Sequence, residues 1–176
     1  HHPARCWHRI SELTCGDIRL KRVTSQRTGP VKQRGAPDRI ATLSEAEREA
    51  GIVNASAGNH AQGVARAASR LGVDSLVVMP ENAPVSKVKA TRSYGATVEL
   101  PGVDYAAAAE RAREVEAAEQ RYYLHAFDDP AVMAGQGTLG LEVVEDCPDV
   151  DTVVVPVGGG GVVDAGEFDG GAVAAC

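Results

Sequence analysis

Three short stretches carry groups suited to chemistry. The first, Asn54-Ala55-Ser56-Ala57-Gly58-Asn59-His60-Ala61-Gln62-Gly63, follows the apolar Gly51-Ile52-Val53 and runs into a helical pattern. A turn at such a joint can aim backbone N–H groups and the positive end of a helix at a carboxylate. Asn59 adds a side-chain amide for a phenolate-type oxygen. Taken alone, the turn reads first as an ordinary one, with Ser56 or Asn59 as a helix cap and His60 as a packed histidine. The second stretch is Gly158-Gly159-Gly160-Gly161, directly after Thr152-Val153-Val154-Val155-Pro156-Val157. Glycines let a backbone approach a ligand closely. A dinucleotide fingerprint would need glycine or alanine at Val163, and no Gly-Lys-Ser/Thr follows, which leaves a cradle for one phosphate, with a flexible loop as the plainer alternative. The third is Lys32, behind the Thr28-Gly29 turn. Lysine forms Schiff bases when burial or neighbouring charge lowers its pKa, although a lysine in a basic stretch is ordinarily just exposed.

These groups need elements to position them. Gly51–Ala55, Ser75–Pro80, Thr97–Leu100, Tyr122–Phe127 and Thr152–Val157 are short apolar runs bounded by Gly, Pro or Asp, and read as strands. Between them, Ala61, Val64, Ala65, Ala68 and Leu71 follow helical spacing up to a stop at Gly72. Asn82 is expected to cap a helix with Pro84 in its first turn, ending at Tyr94-Gly95. Asp104 is expected to cap a helix from Tyr105 to about Gln120, and Asp129 one that opens with Pro130. The alternation predicts an α/β fold, a parallel sheet with helices on both faces, with Val53, Val77, Val78, Val98 and Leu124 in its core. Ligands of such sheets lie beyond the carboxyl ends of the strands, where Ser56–His60 and Gly158–Gly161 stand.

Composition narrows the class. The 176 residues are 44% hydrophobic and 24% charged, with a net charge of −6, as in a soluble globular protein. No apolar run reaches bilayer length, and no signal-peptide core opens the chain, so no membrane partner and a cytoplasmic location are expected. Residues 1–39 hold nine Lys/Arg against three Asp/Glu, but Trp7 is their only aromatic, so no nucleic-acid partner is expected. Cys6, Cys15, Cys147 and Cys176 lack metal-type spacing and read as reduced thiols, with no metal site. The sequence opens on His1-His2 without an initiating methionine, as a fragment or a mis-started frame would.

A phosphate cradle, a reactive lysine and an asparagine beside a ring oxygen are together what pyridoxal 5′-phosphate needs. From about Ser11 to Gly161 the chain resembles the threonine dehydratases, in the serine/threonine dehydratase group of the tryptophan-synthase-β-like, fold type II pyridoxal-phosphate enzymes. The resemblance is carried by Ala55–Gly63, Met79-Pro80-Glu81-Asn82-Ala83-Pro84, Phe127-Asp128-Asp129-Pro130, Ala134-Gly135-Gln136-Gly137-Thr138 and the four glycines. Gly58-Asn59-His60 is the form of the dehydratase and racemase branch; the cysteine-synthase branch usually has Gly-Asn-Thr.

The resemblance implies that Lys32 forms the Schiff base and acts as the catalytic base. It implies that Gly158, Gly159, Gly160 and Gly161 hold the phosphate, that Asn59 faces the ring hydroxyl, and that the backbone of Ser56, Ala57, Gly58, Asn59 and His60 surrounds the substrate carboxylate. The implied reaction is dehydration and deamination of L-threonine to 2-oxobutanoate, or of L-serine to pyruvate, with release of ammonia. Amino-acid metabolism, including isoleucine biosynthesis, is the implied setting, a small amino acid the substrate, and a homo-oligomer is compatible with it. The implied organisation is residues 1–39 as the first part of a large cofactor lobe, 40–145 as a small α/β lobe, and 146–176 as the start of the large lobe's second part. A serine racemase-like enzyme, or a non-catalytic remnant binding a phosphate compound or a partner protein, are the alternatives.

Departures from the family pattern are local at first. Pro30-Val31 stands where the family has Ser-Phe, Val23-Thr24 where it has Glu-Asn, and Pro37 where it has a helical tyrosine. Pro37 is costly inside a helix and less so in its first turn. After Gly161 the sequence diverges, so an incomplete second lobe and impaired activity are expected.

Borohydride reduction with pyridoxal phosphate, followed by peptide mapping, should place the pyridoxyl group on Lys32. Recovery mainly on Lys87 or Lys89 would refute that assignment.

Overall fold

The computed structural model describes residues 3–22, 34–155 and the strand 172–175; Lys32 and Gly158–Gly161 lie outside the described residues. The chain opens with β1 (Arg5–Cys6), α1 (His8–Thr14) and β2 (Arg19–Leu20), and β1 and β2 pair antiparallel. Then come α2 (Gly35–Ala41), α3 (Glu45–Ala50), β3 (Ile52–Ala55), α4 (Asn59–Leu71), β4 (Ser75–Val78), α5 (Val85–Ser93) and β5 (Thr97–Glu99). They are followed by α6 (Tyr105–Glu119), β6 (Tyr122–Tyr123), α7 (Pro130–Asp146), β7 (Thr152–Val155) and β8 (Ala172–Ala175).

A four-stranded, wholly parallel sheet runs in the order β5-β4-β3-β6. Strands β3 and β4 are buried throughout, which explains why both read as apolar runs without alternation. Side chains still take opposite faces in turn. Val53, Ala55, Leu76 and Val78 pack on Ala108, Ala112 and Val115 of α6. On the other face, Val77 packs with Ala61 and Ala65 of α4, while Ile52 packs with Val64 and Ala68 of α4 and with Ala36 and Ile40 of α2. This is the expected sheet covered on both sides. Strands β7 and β8 form a separate parallel pair, with Val153 opposite Val173.

Most expected elements fall where the sequence places them. Asp104 accepts a hydrogen bond from the Ala107 N–H, and Asp129 caps α7 by accepting from Ala131 and Val132. Gly72 ends α4 at φ 69°, a left-handed conformation that favours glycine. Three expectations are corrected. The helix after Met79 is capped at Pro84 rather than Asn82, because Pro84 holds an extended ψ of 126° and only Val85 enters the helix. The strand expected over Tyr122–Phe127 stops at Tyr123. The His125 ring turns back and accepts from the Phe127 and Asp128 N–H groups, bending the chain toward α7. Val98 is half-buried rather than core, because β5 is an edge strand. Pro37 is the third residue of α2, where its missing N–H leaves no intrahelical bond unmade.

Helices α2 and α7 cross at a pair of glycines. A Cβ on Gly35 would overlap the Val132 carbonyl oxygen, and one on Gly135 would stand 2.5 Å from the Gly35 Cα and 2.8 Å from an Asp38 carboxylate oxygen. The obstacles are largely backbone, so rotamer changes cannot relieve them. Gly35→Ala should destabilise the fold by about 3 kcal/mol, at the upper end for overpacking, as a lowered denaturant midpoint. A midpoint within experimental error of the parent would show that the two helices can separate freely.

Candidate functional site

The site grows from the carboxyl end of β3. Sheet pairing ends with the Ser56 N–H donating to the Val78 carbonyl, and the chain then turns into α4. Ser56 Oγ accepts from the Gly58 and Ala61 N–H groups, both at 3.3 Å, so this side chain caps the helix across the turn. The N–H groups of Ala57 and Asn59 have no hydrogen-bond partner among the described residues. They lie at the amino end of a thirteen-residue helix, where the helix dipole adds to the pull on an anion. A Cβ built on Gly58 would meet nothing within 4 Å among the described residues, which leave the approach on that side open.

Asn59 is half-buried, and its Oδ1 accepts from Lys87 Nζ at 2.7 Å. Its Nδ2 has no partner among the described residues. His60 is buried, and Nε2 meets the Leu124 carbonyl at 3.3 Å, tying α4 to the end of β6. That contact uses the ring for packing, as the sequence alone had suggested. The structure therefore brings together Ser56, Ala57, Gly58, Asn59 and His60.

Sequence reasoning missed three residues here. Lys87 falls within the helix expected between Pro84 and Tyr94, and its contact with Asn59 depends on how α5 packs on α4. Asn54 is fully buried on β3, and neither side-chain atom has a partner among the described residues. The same holds for the amide of Gln136 on α7. A buried amide without partners costs about 1–3 kcal/mol, so both are places where a further polar group would be welcome. A polar residue inside the run Ile52-Val53-Asn54-Ala55 was the available signal for the first.

A second polar cluster brackets position 32 in the sequence. Glu142 of α7 takes Lys21 Nζ at 2.9 Å on one carboxylate oxygen and Arg34 Nη1 at 2.7 Å on the other. Lys21 also reaches Asp146 at 2.7 Å. Hydrogen bonding from Arg34, helped by Lys21, pulls the Glu142 carboxyl down to about 2 despite partial burial. Burial works against the Lys21 ammonium, but its bonds to Asp146 and Glu142 hold it above its ordinary value.

A parallel α/β sheet whose central strand ends in a turn at the amino end of a helix is the arrangement in which α/β folds place ligands beyond the strand ends. The comparisons with known proteins are narrower. The profile of the family "Pyridoxal-phosphate dependent enzyme" matches residues 3–165, and the chain belongs to that family. It is 53% identical over 154 residues to the L-threonine ammonia-lyase of Thermotoga maritima, covering 88% of this chain and 38% of that enzyme. The processed form of threonine deaminase isoform 2 from Solanum lycopersicum superposes with a TM-score of 0.92 at 35% identity, over 98% of this chain and 49% of that one. Maize serine racemase superposes with a TM-score of 0.88 at 31% identity, over 93% and 50%. The chain thus spans half or less of the length of each of these relatives.

The Glu142 cluster makes a pH prediction. A carboxylate held below its ordinary value of 4.5 stabilises the fold fully above pH 4.5 and loses that contribution as pH falls toward about 2. Glu142→Gln should therefore lower stability at pH 7 by about 2–3 kcal/mol, since it leaves two partly buried cations underpaired. The gap to the parent should close between pH 4.5 and 2. A gap independent of pH, followed by urea denaturation, would assign the loss to packing instead.

Proposed function

We propose that the chain carries the substrate-binding half of a pyridoxal-phosphate-dependent threonine/serine ammonia-lyase. The observation that supports it best is the corner at Ala57–Asn59. Among the described residues it offers two unpaired N–H groups at a helix end and one unpaired amide N–H₂ group, with open space in front of Gly58. That donor set fits an amino-acid carboxylate beside a ring hydroxyl. Bound pyridoxal phosphate supplies an electron sink for the negative charge that develops at the α-carbon.

The chain's own groups supply the rest. The N–H groups of Ala57 and Asn59 bind and orient the substrate carboxylate. Asn59 Nδ2 donates to the ring oxygen. Lys32 attaches the cofactor and accepts the α-proton, and Gly158–Gly161 hold the phosphate; these roles follow from the family resemblance. The α-proton taken by Lys32 would pass to the departing β-hydroxyl, which would leave as water, and the released enamine would hydrolyse to 2-oxobutanoate or pyruvate and ammonia. The likeness to maize serine racemase favours a second reading, in which the proton returns to the opposite face and the hydroxyl stays.

The purified chain, supplied with pyridoxal phosphate and L-threonine or L-serine, should yield keto acid and ammonia. It should do so more slowly than the Thermotoga maritima enzyme assayed beside it, whose length it covers by only 38%. Accumulation of D-serine without keto acid would select the racemase reading. Failure to bind the cofactor at all would leave the chain as a non-catalytic remnant.

A further inference from the structure

We propose that Lys87 is a positioning residue for Asn59: it fixes which end of the carboxamide faces the cofactor and strengthens that end as a donor. The proposal rests on the reading that Asn59 meets the ring hydroxyl, and it adds a residue for which the sequence had no role.

The contact itself sets the direction. Lysine ammonium has donors only, so the Asn59 atom 2.7 Å from Nζ must be the acceptor Oδ1. The amide hydrogens of Nδ2 then point the other way, where no described residue receives them. Without Lys87 the amide could flip and present an acceptor to the ring oxygen, which would favour the protonated phenol. With Lys87 in place only a donor can face it, which favours the phenolate.

Charge reinforces this geometry. Lys87 has no carboxylate within ion-pair distance among the described residues. With no described anion competing, its ammonium polarises the Asn59 amide, and a charge-assisted bond of this kind strengthens the donor beyond it. The backbone around Lys87 is firm, since its N–H donates to the Pro84 carbonyl and its carbonyl accepts from Thr91 Oγ1. Other charged or titratable groups on the packed elements are Lys89 and Arg92 on α5, His60, Arg66 and Arg70 on α4, Asp38 and Arg39 on α2 and Glu99 on β5. His60 is engaged with Leu124 and Glu99 with Arg111, so neither competes for Lys87.

The test uses 4′-deoxypyridoxine 5′-phosphate, which keeps the ring hydroxyl and phosphate but has no aldehyde to react with a lysine. Ultraviolet titration of the bound probe reads its phenol directly, without turnover. The midpoint should lie below that of the free probe with the parent chain and rise by about one pH unit with Lys87→Met or Lys87→Gln, while Lys87→Arg stays near the parent. In an Asn59→Leu background, Lys87→Met should move the midpoint very little, because the effect passes through the amide. An unchanged midpoint in Lys87→Met overturns the proposal, as does an equal rise with and without Asn59. Failure of the parent chain to bind the probe would instead overturn the cofactor reading beneath it. Far-ultraviolet circular dichroism keeps misfolding of one variant from standing in for either result, and the glutamine and arginine variants then carry the comparison.

Discussion

Strand β3 has parallel partners on both edges and helices on both faces, and every group at the ligand corner takes its position from that enclosure. Inside the sheet its backbone N–H and carbonyl groups are consumed by β4 and β6. Only where the strand runs out, past Ala55, does the chain recover unpaired N–H groups, and there a helix begins at once. Ending a fully paired strand against a helix leaves N–H groups at a helix amino end, the geometry suited to an anion. Ser56 uses its hydroxyl to satisfy the Gly58 and Ala61 N–H groups, while those of Ala57 and Asn59 have no partner among the described residues.

The helices on that side are locked by close contact and by charge. The Gly35–Gly135 crossing brings α2 and α7 to backbone contact. Arg39 stacks over Tyr122 at 4.3 Å, donates to its hydroxyl and faces Asp129, and the Tyr122 hydroxyl donates to the same carboxylate. Asp129 is also the cap of α7, so one carboxylate joins α2, β6 and the start of α7. Burial drives the Tyr122 hydroxyl above its ordinary value, with Arg39 opposing and Asp129 adding to the effect, which keeps it a donor at neutral pH. At the other end of α7, Glu142 and Asp146 gather Lys21 and Arg34 from either side of position 32. Pairings as buried as these matter mainly because removing one partner leaves the other charged and desolvated.

Much of the fold and half of the candidate site were legible in the sequence. Period, caps and stops are local properties. Asp104, Asp129 and Gly72 mark their helices by their own side-chain or backbone chemistry, and the runs at β3 and β4 announce a sheet covered on both faces. The turn at Ser56–His60 was visible because glycine tolerates turn conformations and serine and asparagine bond to nearby backbone groups, so together between a strand and a helix they mark a turn. Where local signals misled, a neighbour outweighed them: Pro84 fixed the helix start two residues beyond Asn82, and the His125 ring ended β6 early.

The parts that tertiary structure decided are contacts between residues far apart in the chain. No spacing rule joins Lys87 to Asn59, because they sit on different helices whose separation depends on the side chains packed between α4 and α5. Nor could the sequence say that Asn54 and Gln136 would be buried without partners among the described residues, or that Gly35 would lie against Val132. Local sequence determines which groups are offered and at which end of which element. Packing determines which of them meet, because a hydrogen bond depends on tenths of an ångström and those are set by every side chain between the two elements.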